Sequence, residues 1–421
     1  MSMGMTIAEK ILARASGRRS VSPGEIVEAK VDVVMVNDIT APLAVEALKE
    51  IGVDRVWSPS QVVVVFDHQA PPTTIEGARD HVMLREFVVE QRIPNFYDVN
   101  EGICHEILPE KGFALPGRLI VGADSHTCTY GAFGCFATGI GSTDAAAVLA
   151  TGKLWFRVPE TMRIAVEGKF RKRVSPKDLI LKIIGEVGAD GATYRSVEFA
   201  GEGLRNISMA GRMTICNMGV EMGAKAAIVP PDKLTVKYLK GRAKGKYDLV
   251  YSDEDAAFVE ELSYDLDGVE PMVACPHSVD NVRPVREVEG IKVDQAFLGS
   301  CTNGRMEDLV EAARIIRNRK ISPHVRMIVV PASREVYMDA LNRGILKVFV
   351  KAGAIVESPS CAACMGGHIG ILGPGEVSVS SSNRNFRGRQ GSKDAEIYLA
   401  SPATVAASAV KGQITDPRAI R

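Results

Sequence analysis

Cys361 and Cys364 stand with two residues between them in SPSCAAC (358–364), and Cys301 lies sixty residues upstream of the first in GSCTNG (299–304). A Cys-x-x-Cys pair serves as a redox dithiol, as half of a zinc site or as part of an iron–sulfur ligand set. Structural zinc wants four closed ligands, normally a second Cys-x-x-Cys or histidines at short spacing, and neither accompanies Cys301. A thioredoxin-like dithiol begins a helix in a small domain and has no use for Cys301. Three thiolates fit a cubane cluster with one iron left open, because fully ligated clusters use four cysteines. An open iron is a Lewis acid that can hold a hydroxyl and a carboxylate. Small, polar flanks around all three cysteines would let backbone approach such a group. Spacing by itself leaves the three readings open. The other five cysteines read more plainly: Cys128, Cys135 and Cys216 lie among small and apolar residues, and Cys104 and Cys275 each neighbour a histidine without a partner cysteine.

Acid–base candidates come next. Asp67-His68 ends one very apolar run and Asp124-Ser125-His126 ends another. A carboxylate beside an imidazole fixes its tautomer and raises its basicity, which suits proton transfer to a leaving hydroxyl. His105, in GICHEI, is a possible third member in a segment that reads partly as helix. NRNFRGR places Arg384 and Arg389 five apart in a glycine-bearing loop. Guanidinium forks grip carboxylates bidentately, so two of them suit a small di- or tricarboxylic acid. Asn217 and Glu221 sit in the otherwise apolar run TICNMGVEMGA, where an unpaired Glu221 would be costly to bury.

The elements that must position these groups are legible as apolar runs. VDVVMV (31–36), VVVVF (62–66), RLIVGAD (118–124), RIAVEG (163–168), QAFLGS (295–300), VRMIVVPAS (325–333) and AIVESPS (354–360) predict strands buried on both faces, as in parallel sheets. Helical patterns alternate with them at 41–52, 80–92 and 306–318, which predicts α/β layering. In open α/β sheets the carboxyl ends of strands line the ligand crevice, and the polar motifs fall at those ends. Divisions are expected near 160 and 286, giving segments 1–160, 161–285 and 286–421. The 51 basic residues balance the 51 acidic ones among 421, so no charge excess points to nucleic acid. The densest basic run, FRKRVSPK (170–177), predicts a solvated turn ahead of a helix. No run of about 18 apolar residues predicts a membrane span, and the first residues lack the apolar stretch of a secretory signal. Eight cysteines are too sparse for a disulfide scaffold, so a cytoplasmic protein with reduced thiols is expected.

Taken together, FDH, GICHEI…LPG…GADSHT, TICNMGVEMGA, GSCTN, SPSCAAC and NRNFRGR resemble the aconitase superfamily of iron–sulfur dehydratases, in the family's order, from about residue 5 to 415. The resemblance implies an α/β aconitase-like iron–sulfur fold, with three α/β/α domains around a central cluster. It assigns Cys301, Cys361 and Cys364 to one [4Fe–4S] cluster whose fourth iron binds substrate. It makes Asp67 and His68 the pair that handles the leaving hydroxyl, with His105, Asp124, His126 and Glu221 in the same network. Ser125, Arg384 and Arg389 would contact substrate carboxylates, and Asn217 and Asn383 would support the cluster. Where aconitases proper carry a glutamine that contacts substrate, this chain has Asn37 in VNDIT, which argues against citrate. The implied reaction removes and re-adds water on a small di- or tricarboxylic acid. One-chain members also carry a fourth, swivelling domain with a serine base. Here that domain is expected to be absent and supplied by a separate small subunit, in a heterodimer or heterotetramer, with neither nucleic acid nor membrane as partner. Two other classes were set against this reading: an RNA-binding protein, as some cluster-free members are, and a zinc or redox-thiol protein.

Overall fold

The computed structural model describes residues 4–420. Three large sheets follow one another along the chain. The first has five parallel strands in the spatial order Asn95–Tyr97, Val62–Val65, Val33–Asn37, Leu119–Gly122 and Phe136–Gly139. Val62–Val65, Val33–Asn37 and Leu119–Gly122 are buried at every position, as expected for β-branched runs covered on both faces. Helices Ala41–Ile51 and Ile75–Gln91 form two of the crossovers.

The second sheet is a four-stranded parallel one in the order Ala226–Ile228, Ser196–Ala200, Thr161–Glu167 and Glu260–Asp265. The third has seven strands: Val282–Pro284, Met272–Ala274, Glu396–Ala400, Val377–Ser380, Gln295–Leu298, Arg326–Val329 and Ile355–Val356. Met272–Ala274 pairs antiparallel with both Val282–Pro284 and Glu396–Ala400, and the other neighbours pair parallel. A two-stranded antiparallel ribbon, Ile26–Lys30 with Lys153–Arg157, lies outside these sheets. All seven predicted strands are present, and the three predicted helices occupy Ala41–Ile51, Ile75–Gln91 and Met306–Ile316.

Strand order reverses on either side of Val33–Asn37 in the first sheet and of Gln295–Leu298 in the third. Crevices open outside the carboxyl ends of strands at such switch points. The first crevice receives Asp38, Asp67-His68 and Asp124 from three adjacent strands. The second receives Cys301 after Gln295–Leu298, Asn383 after Val377–Ser380 and Cys361 after Ile355–Val356. A shared apolar core holds Val65 and Cys104 from the first segment, Cys216 from the second, and Cys301 and Cys361 from the third, which brings the two crevices face to face. No helix among the described residues is long and apolar enough to cross a membrane.

Candidate active site

Asp67 and His68 leave the strand Val62–Val65 as a turn wrapped around one carboxylate. Asp38, one residue past the neighbouring strand, is fully buried. Its Oδ1 accepts the backbone N–H groups of Asp67 (3.0 Å) and His68 (2.9 Å), and its Oδ2 accepts that of Gln69 (2.6 Å). His81 from the helix Ile75–Gln91 approaches the same Oδ2 at 3.4 Å. Burial opposes ionisation of Asp38, but His81, His68 and the amides hold its carboxyl well below the usual range.

The turn aims the His68 ring inward. Its Nδ1 lies 2.7 Å from Asp67 Oδ1 and its Nε2 lies 3.4 Å from Asp124 Oδ2. The second oxygen of Asp67 accepts the N–H of Cys104 at 2.7 Å, at the start of the helix Cys104–Glu110. That helix carries His105, whose Nε2 meets Asp124 Oδ1 at 2.8 Å and whose Nδ1 meets the Tyr130 hydroxyl at 3.1 Å. Asp124 also accepts the N–H of His126 at 2.8 Å, which shapes the 3-10 turn Ser125–Phe133. Gly139 lets this turn lie close: a Cβ there would come within 2.7 Å of the Asp124 carbonyl oxygen. His126 Nε2 in turn lies 2.7 Å from Glu221 Oε1, and Arg384 Nε donates to both oxygens of Glu221 at 2.8 and 3.1 Å.

One carboxylate, Asp124, therefore faces three imidazoles. Burial disfavours its charge, but His105, His126 and His68 outweigh that and hold it well below the carboxylate range. Glu221 is lowered in the same way, by His126 and Arg384 against desolvation. His68 is raised well above the usual imidazole value: burial opposes its charge, while Cys361, Asp67 and Asp124 favour it.

The cysteines meet this network from the other crevice. All eight are free of disulfides and buried. The Cys361 N–H donates to the Asp67 carbonyl at 2.7 Å, and the donor atoms of Asp67, His68 and Cys361 lie within 4.8 Å of one another. Asn217 Nδ2 donates to Cys301 Sγ at 3.2 Å and Asn383 Nδ2 to the same sulfur at 3.5 Å. Asn383 Oδ1 accepts from the Cys364 thiol at 3.7 Å, and Arg389 reaches Cys364 Sγ at 3.7 Å. Burial pushes the Cys301 thiol up to about 12 and also holds the Cys361 thiol well above its usual value. Thiols so protected become thiolates when a metal binds. Ser300 (φ 71°) precedes Cys301 and Ala362 (φ 46°) follows Cys361, so each cysteine loop holds a non-glycine residue in the left-handed region. Backbone strain of this kind gathers at functional sites.

Three buried sulfurs, amide donors aimed at Cys301, and a guanidinium whose Nε is buried without a partner (Arg389) fit an anionic iron–sulfur group. A zinc cage fits less well. His68 Nδ1 is already committed to Asp67, and Asp67 spends its other oxygen on Cys104.

Most expected residues converge, with three differences. Asn37 turns back on its own loop: its Oδ1 accepts from the Ile39 and Thr40 N–H groups and the Thr40 hydroxyl, and its buried Nδ2 has no partner. Ser125, expected to contact a substrate carboxylate, lines an adjoining cleft of about 540 Å³ with Asp144, Tyr194 and Lys225. Arg384 and Arg389 point apart, one to Glu221 and one to Cys364.

Three contributors were missed. Asp38 adjoins Asn37 in VNDIT, at a strand end, which was the available signal. Tyr130 left none. The turn expected at 170–177 is present, with Arg171 and Lys172 exposed, but Lys177 at its end departs from it: it is fully buried. Ser175 and Asp178 form a capping box that starts the helix Pro176–Val187. That helix packs its first turn against the 381–382 backbone, so the ammonium donates to the carbonyls of Ser381 (3.0 Å) and Ser382.

Comparison with known proteins agrees with this geometry. The model of a family described as "Aconitase family (aconitate hydratase)" matches residues 9–412. The chain is 58% identical, over 100% of both chains, to a probable 3-isopropylmalate dehydratase large subunit of Methanothermobacter thermautotrophicus. It is 57% identical to 3-isopropylmalate dehydratase large subunit 1 of Methanopyrus kandleri, over 99% of each. It is also 57% identical to a probable methanogen homoaconitase large subunit of Methanosarcina mazei, over 93% of this chain and 100% of that one. The solved structure of Thermococcus kodakaraensis aconitase X, in its holo form, superposes with a TM-score of 0.52 at 12% identity, over 85% of this chain and 84% of that one. That likeness concerns the fold alone.

Proposed function

The chain belongs to the aconitase family, and from that premise we propose that it is the large, catalytic subunit of a 3-isopropylmalate dehydratase. It is a hydro-lyase that isomerises 2-isopropylmalate to 3-isopropylmalate by dehydration and rehydration, a step of leucine biosynthesis in the cytoplasm. Aconitase-family proteins carry a [4Fe–4S] cluster. In this chain Cys301, Cys361 and Cys364 would hold it, leaving one iron for substrate. When bound, the cluster supplies a Lewis acid for the substrate's hydroxyl and carboxylate.

The chain's own residues do the rest. His68 is fixed through Nδ1 by Asp67, so Nε2 is the nitrogen that passes a proton to the departing hydroxyl. Its 3.4 Å contact with Asp124 is long enough to yield to a substrate oxygen. Asp124 and His105 hold the proton network on one side, His126 and Glu221 on the other. Asn217 and Asn383 keep the Cys301 sulfur oriented. Arg384, Arg389, Ser125 and Asn37 would serve the substrate's carboxylates, Arg389 and Asn37 each keeping a buried N–H without a partner. A small subunit carrying the swivelling domain supplies the base that takes the carbon-bound proton, in a heterodimer or heterotetramer. Three domains house the site, divided near 160 and near 286, although Met272–Ala274 and Val282–Pro284, ahead of the second division, pair into the third sheet.

The observation that carries this reading is the meeting of buried Cys361 with the Asp67–His68 pair, beside Cys301 and Cys364 linked through Asn383. The test is anaerobic reconstitution of the chain with a small subunit of the family, followed by assay on 2-isopropylmalate. Turnover is expected for the native chain and its loss for Cys301→Ser; full turnover by that variant contradicts the assignment. A second reading is homoaconitase acting on homocitrate, in lysine or coenzyme B synthesis. It is favoured by the 57% identity to a relative of that name. Assaying homocitrate beside 2-isopropylmalate separates the two.

A further inference from the structure

Two cations are buried behind the cysteine loops, and each braces one of them. Arg305 donates to the carbonyls of Cys301 (2.6 Å) and Thr302 (2.9 Å), and its Nε pairs with Glu106 at 2.7 Å, so its counter-ion is part of the chain. Lys177 braces the opposite loop through the carbonyls of Ser381 and Ser382, next to Asn383, which bonds Cys301 and Cys364. Its ammonium touches only these neutral carbonyls, and among the described residues it makes no ion pair.

The charged and titratable groups around it are Cys364, Asp308, Asp178 and Cys301. Both carboxylates are occupied elsewhere: Asp178 by the Ser175 and Met272 N–H groups, Asp308 by Asn303 and the Arg305 N–H. A buried charge without a paired counter-charge is expensive, and desolvation lowers Lys177 to about 7. Cys364, Asp308, Asp178 and Cys301 are the groups that favour its charge against that burial.

We propose that Lys177 is the cation of the iron–sulfur site: it braces the loop that carries Asn383 and places a buried positive charge behind the cysteines that would hold the cluster. The proposal rests on the cluster reading above. Lys177 touches neither substrate nor reacting atoms, so it is a positioning residue.

A cluster's reduction potential is set by net charge and by hydrogen bonds to its sulfurs, so removing a nearby cation makes reduction harder. The experiment compares the anaerobically reconstituted full-length protein with Lys177→Met and Lys177→Gln. The Met variant removes both charge and brace. The Gln variant keeps an N–H donor of similar reach but removes the charge. Iron and sulfide content is measured first, then the midpoint potential by EPR-monitored titration. Both variants are expected to shift to more negative potential by at least tenfold in the reduction equilibrium, 59 mV for a one-electron couple. They are also expected to lose iron faster than the native protein. A native protein that loads a cluster, with either folded variant short of a tenfold change in the reduction equilibrium, overturns the proposal and leaves the cluster reading standing. A shift in Met that Gln restores also overturns it, by reducing Lys177 to a brace. A native protein that takes up no iron or sulfide overturns both readings together.

Discussion

Replacing Asp38 with asparagine should loosen the Asp67–His68 turn more than any change in the histidine itself. The carboxylate now accepts three successive N–H groups, at 3.0, 2.9 and 2.6 Å, inside a fully buried setting. Hydrogen bonds to a charged group contribute about 1.5–3 kcal/mol each, against about 1 kcal/mol for a neutral pair. Asparagine keeps Oδ1 for Asp67 and His68 at the weaker value, which loses about 1 kcal/mol apiece. It also turns an amide N–H₂ toward the Gln69 N–H, donor against donor, so the third bond is lost outright. The sum is about 3–4 kcal/mol, near the upper range for single substitutions. Each 1.4 kcal/mol is tenfold in an equilibrium constant, so amide exchange at residues 67–69 should accelerate by about 10²-fold or more. Exchange mass spectrometry reads this directly, with amides of the helix Ala41–Ile51 as an internal control that should not move. In reconstituted enzyme, kcat should fall with iron content retained. Exchange at 67–69 within threefold of native, together with unchanged kcat, would refute the claim that Asp38 holds the catalytic turn.

Other outcomes follow from the same contacts. Glu106→Gln leaves the buried Arg305 guanidinium without its counter-ion and should cost about 3–5 kcal/mol of stability, measured by denaturant unfolding. Glu221→Gln loses the charge that orients His126 and Arg384, so kcat should fall about 10²-fold while the protein still loads iron, read by steady-state kinetics beside metal analysis. Glu110 gives a pH dependence: burial and Glu106 push it up to about 8 from 4.5. The folded chain then holds a proton that the unfolded chain has released, so this contribution to stability is complete below pH 4.5 and is lost as pH rises through 8. Glu110→Gln should flatten that part of the stability curve, measured by unfolding at a series of pH values.

Much of the scaffold is legible in the sequence because strands buried on both faces need unbroken apolar runs, and VDVVMV and VVVVF have no other comfortable use. Glu221 is legible for the opposite reason: a carboxylate in an apolar run demands partners, and it has His126 and Arg384. What escapes are groups that act through the backbone of distant segments. Asp38 works on amides 29 to 31 residues away, and Lys177 on carbonyls more than 200 residues away. No local pattern marks such a pairing; only the folded sheet order creates it. Lys177 misleads for a further reason. Its neighbours Arg171, Lys172 and Arg173 suggest a wet basic turn, while the Ser175–Asp178 capping box places the next basic residue inside a helix start packed on the cysteine crevice. The antiparallel strands Met272–Ala274 and Val282–Pro284 are three residues each, too short for periodicity to register.

The most direct test of the account is the iron and sulfide content of the anaerobically reconstituted chain, native against Cys301→Ser, Cys361→Ser and Cys364→Ser. The account predicts a brown native protein with one cluster's complement of iron and sulfide, and near-complete loss of intact cluster in each variant. A colourless, iron-free native protein, or three variants that load as well as the native one, would contradict it.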